Sequence, residues 1–184
     1  GPINFGYNNF KRESVLISGT KVRFLLRGFN EAKTVFLSGS FNNWATSKLS
    51  MEKTDKYWFA EIDLEPGKYY YKFIVDGSWI PDPDNLLTEP DGVTGFNSVL
   101  FVTNYTFKLS GHSNVNKVEI AGSFNGWKQN DAYLVKTSTG WELPCFVSVG
   151  RHAYKFIVDG NWILDPDNPN VINNEYGTRS EEHT

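Results

Sequence analysis

Apolar and polar residues alternate along short segments of this chain, which is the pattern of strands that bury one face. Segment 58–64 shows the alternation, with the inward positions Trp58, Ala60, Ile62 and Leu64. Gly, Pro, Asn and Asp bound these segments, and no long stretch has the 3.6-residue period of a helix. The pattern therefore predicts an all-β protein built from β-sandwiches, with Trp58 in the core.

Segment 69–79 predicts a hairpin whose second strand carries an outward tryptophan. Its inward positions are Tyr69, Tyr71, Phe73 and Val75. The dipeptide Asp76-Gly77 favours a two-residue turn, in which both positions need positive φ. That turn pairs Ile74 with Trp79, and cross-strand partners share a face. Trp79 is therefore predicted on the outer face, near Lys72.

The chain contains an internal repeat with an offset of 83 residues. The sequence Gly-Ser-Phe-Asn-Asn-Trp at 39–44 returns as Gly-Ser-Phe-Asn-Gly-Trp at 122–127, and segment 71–77 returns unchanged at 154–160. From Val22 to Asn85 the copies align without a gap, and 26 of 64 positions are identical. This predicts two homologous domains and an outward Trp162 near Lys155 in the second.

The repeat also predicts the domain boundaries. We expect a first domain over residues 16–102, which ends in a strand-like sequence at 98–102, and a second over residues 105–184. Thr103 and Asn104 alone connect them, so the connection is expected to be stiff. Residues 181–184 have the composition of a poor final strand.

Composition and charge argue against several classes of partner. The chain has 184 residues, 18 basic and 21 acidic, and a net charge of −3, which does not favour binding to nucleic acid or anionic lipid. No apolar run approaches the ~18 residues of a transmembrane helix, so we expect no membrane partner. Cys145 lies at an inward strand position and is expected to be a buried apolar residue. A single cysteine fits a reducing compartment, which slightly favours an intracellular location.

Little in the sequence indicates catalysis or a metal. Asp-Pro-Asp-Asn at 82–85 and 165–168 is typical of turns whose short side chains bond their own backbone, although a cation site is the other interpretation. The histidines His112, His152 and His183 are not repeated, so no zinc set or Ser-His-Asp arrangement is indicated. Two small sandwiches also offer no paired catalytic carboxylates in a cleft. We therefore expect no metal site, no cofactor and no enzymatic activity.

The repeated motifs are similar to those of a known family of carbohydrate-binding modules. The sequences at 39–44, 71–79 and 82–85 resemble carbohydrate-binding family 48, which includes the glycogen- and starch-binding module of the AMP-activated protein kinase β subunit, and the second copy resembles it equally. The resemblance covers nearly the whole chain. It implies an early-set, immunoglobulin-like β-sandwich in each copy and binding of α-1,4-glucans.

The resemblance also implies which residues contact sugar. These are Trp44, Lys72, Trp79 and Asn97 in the first copy, and Trp127, Lys155 and Trp162 in the second. Val93 matches the apolar loop residue that reaches into the glucan turn. The second copy has no asparagine matching Asn97, Ser180 being the nearest residue, so an unequal second site is expected.

The chemistry of these residue types suits a neutral polysaccharide. A glucose ring presents flat C–H patches that stack on indole rings, and Lys and Asn donate hydrogen bonds to its hydroxyls. We predict non-catalytic binding of glycogen, starch, maltooligosaccharides and cyclodextrin, with further domains of a parent protein as additional partners. From the residues alone, Trp44 and Trp127 could instead cap a sandwich end, and Lys72 and Lys155 could be ordinary solvated lysines. The alternative function is a structural or protein-interaction module of a larger enzyme or kinase-like assembly that binds no sugar.

Overall fold

Strands account for nearly all regular structure in this chain. The computed structural model describes residues 5–174 and 177–183, and the side chains of residues 5–170. The chain divides into two compact units. Module 1 is residues 7–102, and module 2 comprises the described residues before 7 and after 102.

Module 1 contains two antiparallel sheets. The first strand of the chain, β1 (Phe5–Gly6), belongs to module 2, so module 1 begins with the second strand. Its strands are β2 (Val15–Ser18), β3 (Lys21–Arg27), β4 (Val35–Gly39), β5 (Leu49–Ser50), β6 (Glu52–Lys53), β7 (Tyr57–Asp63), β8 (Gly67–Val75), β9 (Ser78–Ile80), β10 (Thr88–Pro90) and β11 (Phe96–Val102). One sheet has the order β2-β3-β7-β6, and the other has the order β10-β11-β8-β4-β5 with β9 on β8. A 3₁₀ turn over Ser40–Asn42 follows β4.

Module 2 repeats this arrangement. Its further strands are β12 (Tyr105–Ser110), β13 (Val118–Gly122), β14 (Ala132–Tyr133), β15 (Val135–Lys136), β16 (Gly140–Val147), β17 (Arg151–Val158), β18 (Asn161–Ile163), β19 (Val171–Asn174) and β20 (Gly177–His183). The sheets have the orders β1-β16-β12, with β15 on β16, and β14-β13-β17-β20-β19, with β18 on β17. A 3₁₀ turn over Ser123–Asn125 follows β13.

Each module is an immunoglobulin-like β-sandwich with an aromatic core between its sheets. In module 1 the ring of Phe24 on β3 meets that of Tyr71 on β8 edge-on, with centroids 5.0 Å apart. In module 2 the rings of Phe107 and Tyr154 are 5.2 Å apart. Burial follows the predicted alternation, since these four side chains are at most 2% exposed. The predicted all-β fold is therefore confirmed.

Two buried residues confirm the inward parity of the longer strands. Trp58 on β7 is 4% exposed, and its indole N–H donates to the carbonyl oxygen of Phe29 (3.1 Å). Cys145 on β16 is fully buried, and this burial raises the pKa of its thiol to about 12. The cysteine is therefore a packing residue, as predicted. In the described part of the chain, no helix is long and apolar enough to cross a membrane.

Both predicted hairpins form in the predicted register. Asp76 and Gly77 have φ angles of 46° and 84°, and Ile74 pairs with Trp79. In module 2 the same turn forms at residues 159–160, and Ile157 pairs with Trp162. The outward position of both tryptophans follows from this register.

The end of module 2 differs from the expectation that residues 181–184 would make a poor final strand. Strand β20 runs to His183 and pairs with β17, so backbone pairing outweighs the polar composition. Ser180 pairs with Tyr154 as Ser98 pairs with Tyr71. Arg179, not Ser180, therefore occupies the register position of Asn97.

Candidate functional site

The motif at residues 39–44 folds as a tight turn that delivers Trp44 to the outer face of the sheet. The Gly39 N–H donates to Oδ1 of Asn42 (3.1 Å), and the Trp44 N–H donates to the Gly39 carbonyl oxygen (2.9 Å). A Cβ at position 39 would lie 2.4 Å from the carbonyl oxygen of Tyr70, so this position requires glycine. The corresponding bonds in module 2 involve Gly122, Asn125 and Trp127.

Both motif tryptophans have a left-handed backbone. The φ angle is 58° at Trp44 and 57° at Trp127. This conformation is unfavourable for a bulky L-residue, and such strain concentrates at functional sites. Its occurrence in both modules shows that the turn imposes it, and the sequence contains no direct signal of it.

Trp79 lies beside Trp44 and is one of the more exposed large side chains. Its side chain is 43% exposed, and that of Trp162 is 37% exposed. Ile74 shares the outer face with Trp79 but is only 5% exposed. The outer face is thus covered at this point, where Trp79 is the cross-strand neighbour of Ile74.

In module 1 the predicted site residues come together. An open cavity of about 300 Å³ is lined by Trp44, Lys72, Trp79, Asp91, Val93 and Asn97. The ring centroids of Trp44 and Trp79 are 6.3 Å apart, and their planes are inclined by 48°. We call these two rings the tryptophan platform of module 1. Val93 is 85% exposed and projects from the loop between β10 and β11.

Asp91 also lines the cavity, although no sequence pattern indicated a role for it. Its Oδ2 accepts a hydrogen bond from Nζ of Lys72 (2.8 Å), and the two side chains are 16% and 13% exposed. The Lys72 ammonium, helped by the backbone N–H groups of Val93 and Gly95, lowers the pKa of Asp91 to about 2. The sequence Pro-Asp-Gly at 90–92 is a recognisable turn signal, but it does not predict the partner on β8.

Module 2 presents a second tryptophan platform formed by Trp127 and Trp162. Their ring centroids are 6.4 Å apart, and their planes are inclined by 36°. Lys155 lies two residues before Ile157, the cross-strand partner of Trp162, and thus on the same face. The three predicted residues of this copy therefore share one face of the sheet.

The Asp-Pro-Asp-Asn turns are anchored in the fold. In module 1, Oδ1 of Asp82 accepts the Asp84 N–H (2.9 Å), as predicted for a turn. Its Oδ2 also accepts bonds from the hydroxyls of Ser14 (2.6 Å) and Tyr71 (2.7 Å), a buried network that the sequence analysis missed. Burial raises the pKa of both Asp82 and Tyr71. Among the described residues, no group of three or more His, Cys, Asp or Glu side chains could hold a metal ion.

Comparison with known families gives a match in each module. A family model described as the glycogen recognition site of AMP-activated protein kinase matches residues 22–108 and again residues 104–180. Together these matches cover most of the chain.

Curated relatives match over part of their length. The beta-2 subunit of 5'-AMP-activated protein kinase from Mus musculus is 46% identical over 59 residues, which cover 32% of this chain and 21% of that protein. The beta-1 subunit from Rattus norvegicus is 40% identical over 78 residues, which cover 42% of this chain and 27% of that protein. The beta-1 subunit from Sus scrofa is 51% identical over 51 residues, which cover 28% of this chain and 40% of that protein. The chain thus spans between a fifth and two fifths of these relatives.

Solved structures give a more distant likeness. A maltogenic amylase from S. marinus aligns at a TM-score of 0.41 and 15% identity, covering 96% of this chain and 31% of the amylase. A pullulanase from Anoxybacillus sp. LM18-11 aligns at a TM-score of 0.33 and 15% identity, covering 94% of this chain and 27% of the pullulanase.

Proposed function

The chain belongs to the family described as the glycogen recognition site of AMP-activated protein kinase, and from this membership we propose that it binds α-1,4-glucans without acting on them. We propose residues 16–102 and 105–184 as the two binding modules. The ligands are glycogen, starch, maltooligosaccharides and cyclodextrin, and further domains of a parent protein are additional partners.

The observation that carries this proposal is the inclined pair of tryptophan rings that recurs in both modules. The planes are inclined by 48° in module 1 and by 36° in module 2, at nearly equal ring separations. Flat, extended glucans fit coplanar rings, whereas the inclined pair suits a chain that turns from one sugar to the next. The backbone strain at Trp44 and Trp127 supports the same interpretation, because such strain concentrates at functional sites.

The remaining lining residues supply polar and apolar contacts. In module 1, Lys72 and Asn97 donate hydrogen bonds to sugar hydroxyls at the edge of the platform, and Val93 contacts the inner side of the glucan turn. In module 2, Lys155 takes the role of Lys72. Each stacked ring contributes on the order of 1 kcal/mol beyond its buried area.

The composition of the cavity supports binding without catalysis. Glycoside hydrolysis generally uses two carboxyl groups flanking the scissile bond. Of the described residues that line the cavity of module 1, Asp91 is the single carboxylate, and it is bound to Lys72.

Retention of the full chain on immobilised polysaccharides tests the proposal. We expect retention on amylose and glycogen, release by β-cyclodextrin, and no retention on cellulose or chitin. The double variant Trp79→Ala/Trp162→Ala is expected to lose retention while its circular dichroism spectrum stays that of a folded β protein.

Three results would contradict the proposal. Equal retention on cellulose would show that the platforms do not select curved glucans. Full retention of the double variant would place the glucan site elsewhere, and no retention of the wild type would favour a protein-interaction module.

A further inference from the structure

We propose that Asp91 is a positioning residue of the module 1 site, which holds the Lys72 ammonium and the Val93 loop in the geometry that receives a glucan. This inference rests on the proposed function and adds a residue to it. Asp91 acts through its neighbours and need not touch the sugar.

One carboxylate connects two elements of the site. Oδ2 of Asp91 accepts the bond from Nζ of Lys72 on β8 (2.8 Å). Oδ1 accepts the N–H groups of Val93 (2.8 Å) and Gly95 (3.1 Å) within the loop between β10 and β11. The Asp91 N–H in turn donates to the Gly95 carbonyl oxygen (2.9 Å), which closes the loop on itself.

The ion pair is enclosed on the side of the loop. A Cβ on Gly95 would lie 3.1 Å from Oδ2 of Asp91 and 3.7 Å from Nζ of Lys72. Glycine at this position thus lets the loop approach the pair closely. Together with the low exposure of both side chains, this enclosure protects the pair from the solvent screening that weakens ion pairs on open surfaces.

This arrangement prepares Lys72 for a neutral ligand. An ammonium group has three donors, so Lys72 keeps two for sugar hydroxyls when one is bound to Asp91. A lysine held in place loses less side-chain entropy on binding than a free one, and such preorganisation raises affinity. The carboxylate also balances the positive charge beside a ligand that carries none.

The second module has an amide residue at the register position of this carboxylate. In β-sheet register, Pro90 pairs with Phe96 and Asn173 pairs with Thr178, so the residue after Asn173, Asn174, takes the place of Asp91. An amide cannot form the ion pair. The positioning role is therefore proposed for module 1.

A double-mutant cycle in the full chain tests the inference. All variants carry Trp162→Ala, so that of the two proposed sites only the module 1 site remains. Their affinity for maltoheptaose is measured by calorimetry. Asp91→Asn retains an acceptor oxygen for the Val93 and Gly95 N–H groups but removes the charge. We expect it to weaken binding about three- to tenfold, or about 0.6–1.4 kcal/mol. In a Lys72→Ala background, the same change is expected to alter affinity less than about twofold.

A matched control removes an ion pair of similar burial outside the cavity. Asp84 bonds to Arg27 at 3.1 Å, and its side chain is 13% exposed. Asp84→Asn is expected to leave the affinity for maltoheptaose unchanged even if it lowers the thermal stability.

The outcomes separate this inference from the proposed function. An equal loss with and without Lys72 would show that Asp91 acts only by supporting the loop, and unchanged or increased affinity of Asp91→Asn would also overturn the inference. Loss of all binding in Trp79→Ala upholds the proposed site in either case. Full binding by Trp79→Ala would instead overturn the proposed site itself.

Discussion

Trp44 combines a side chain proposed to bind sugar with a backbone conformation that suits glycine. Its φ angle of 58° costs an L-residue roughly 1–2 kcal/mol. The hydrogen bonds of Gly39 and Asn42 hold the turn in this form. A residue without a Cβ would relieve the strain but could not stack on a sugar.

A pair of substitutions at this position separates strain from binding. We expect Trp44→Gly to have a free energy of unfolding about 1 kcal/mol higher than Trp44→Ala, since glycine adopts positive φ readily. Both variants are expected to lose most of the affinity of module 1 for maltooligosaccharides. Urea unfolding and calorimetric titration measure the two effects. Equal stability of the two variants would show that the turn is not strained.

Single residues differ in how far the sequence predicts them. Trp79 could be placed on the outer face because strand parity and an Asp-Gly turn together fix its direction. The conformation of Trp44 and the pairing of Asp91 with Lys72 could not be predicted, because each depends on how a loop packs against a distant strand.

The hairpin formed by β8 and β9 sets the position of Trp79. Asp76 also fixes the neighbouring loop, because its Oδ1 accepts the N–H groups of Lys33 (2.8 Å) and Thr34 (2.9 Å). These backbone bonds lower the pKa of Asp76. The turn therefore anchors both the platform strand and the entry to β4.

Gly77 has a backbone conformation in this hairpin that favours glycine. We expect Gly77→Ala to destabilise the protein by about 1–2 kcal/mol, because its φ of 84° is unfavourable for alanine. Gly67→Ala is the control: a Cβ there would meet its nearest atom at an ordinary 3.7 Å, and its φ is not positive. Thermal unfolding of both variants checks this expectation. A similar loss at both positions would contradict it.

The loop between β10 and β11 depends on an ionised carboxylate. Because the Asp91 pKa is lowered from 3.8 to about 2, its contribution to stability is complete above about pH 5 and is lost as the pH falls through 2. We expect the Asp91 carboxyl to titrate near pH 2 in a carbon-detected NMR experiment. The Val93 and Gly95 amide shifts should change over the same range and should lose this dependence in Asp91→Asn. Titration near pH 3.8 would show that the ion pair does not form.

Elements were predicted best where sequence pattern and turn chemistry agree. Alternation and the repeated Asp-Gly turns predicted the strands and both hairpins. Residues 181–183 were misjudged because their polar composition hides a strand that β17 pairs through its backbone. The short strand β1 had no signal, since two residues carry no measurable period.

At the scale of the whole molecule, the two proposed sites lie on one chain with only Thr103 and Asn104 between β11 and β12. A long glucan that engages both sites gains an effective concentration that raises affinity by about 10²–10⁴. A short oligosaccharide engages one site at a time. The sites differ, because Arg179 and Asn174 take the register positions of Asn97 and Asp91.

Separate removal of each platform distinguishes these contributions. With a short maltooligosaccharide, we expect Trp79→Ala to lose more of the total binding than Trp162→Ala, since module 1 has Asn97 and Asp91 where module 2 has Arg179 and Asn174 in register. With glycogen, each variant is expected to lose affinity relative to the wild type. Calorimetry with the short ligand and sedimentation with glycogen measure the two cases. Equal losses on the short ligand, or unchanged glycogen affinity of Trp162→Ala, would count against unequal and cooperating sites.

Strand β1 belongs to module 2 but precedes module 1 along the chain, which bears on the order in which the two modules fold. Its residues Phe5 and Gly6 pair with Val147 and Phe146, and the Phe5 ring lies 4.6 Å from that of Phe124. During synthesis β1 is made before all of module 1, whereas β16 follows about 140 residues later, or roughly 7–30 seconds at ordinary rates of translation. Module 1 can complete both sheets in that interval. Module 2 then pairs β16 with β1, a segment made before module 1, and its strands β17 to β20 follow.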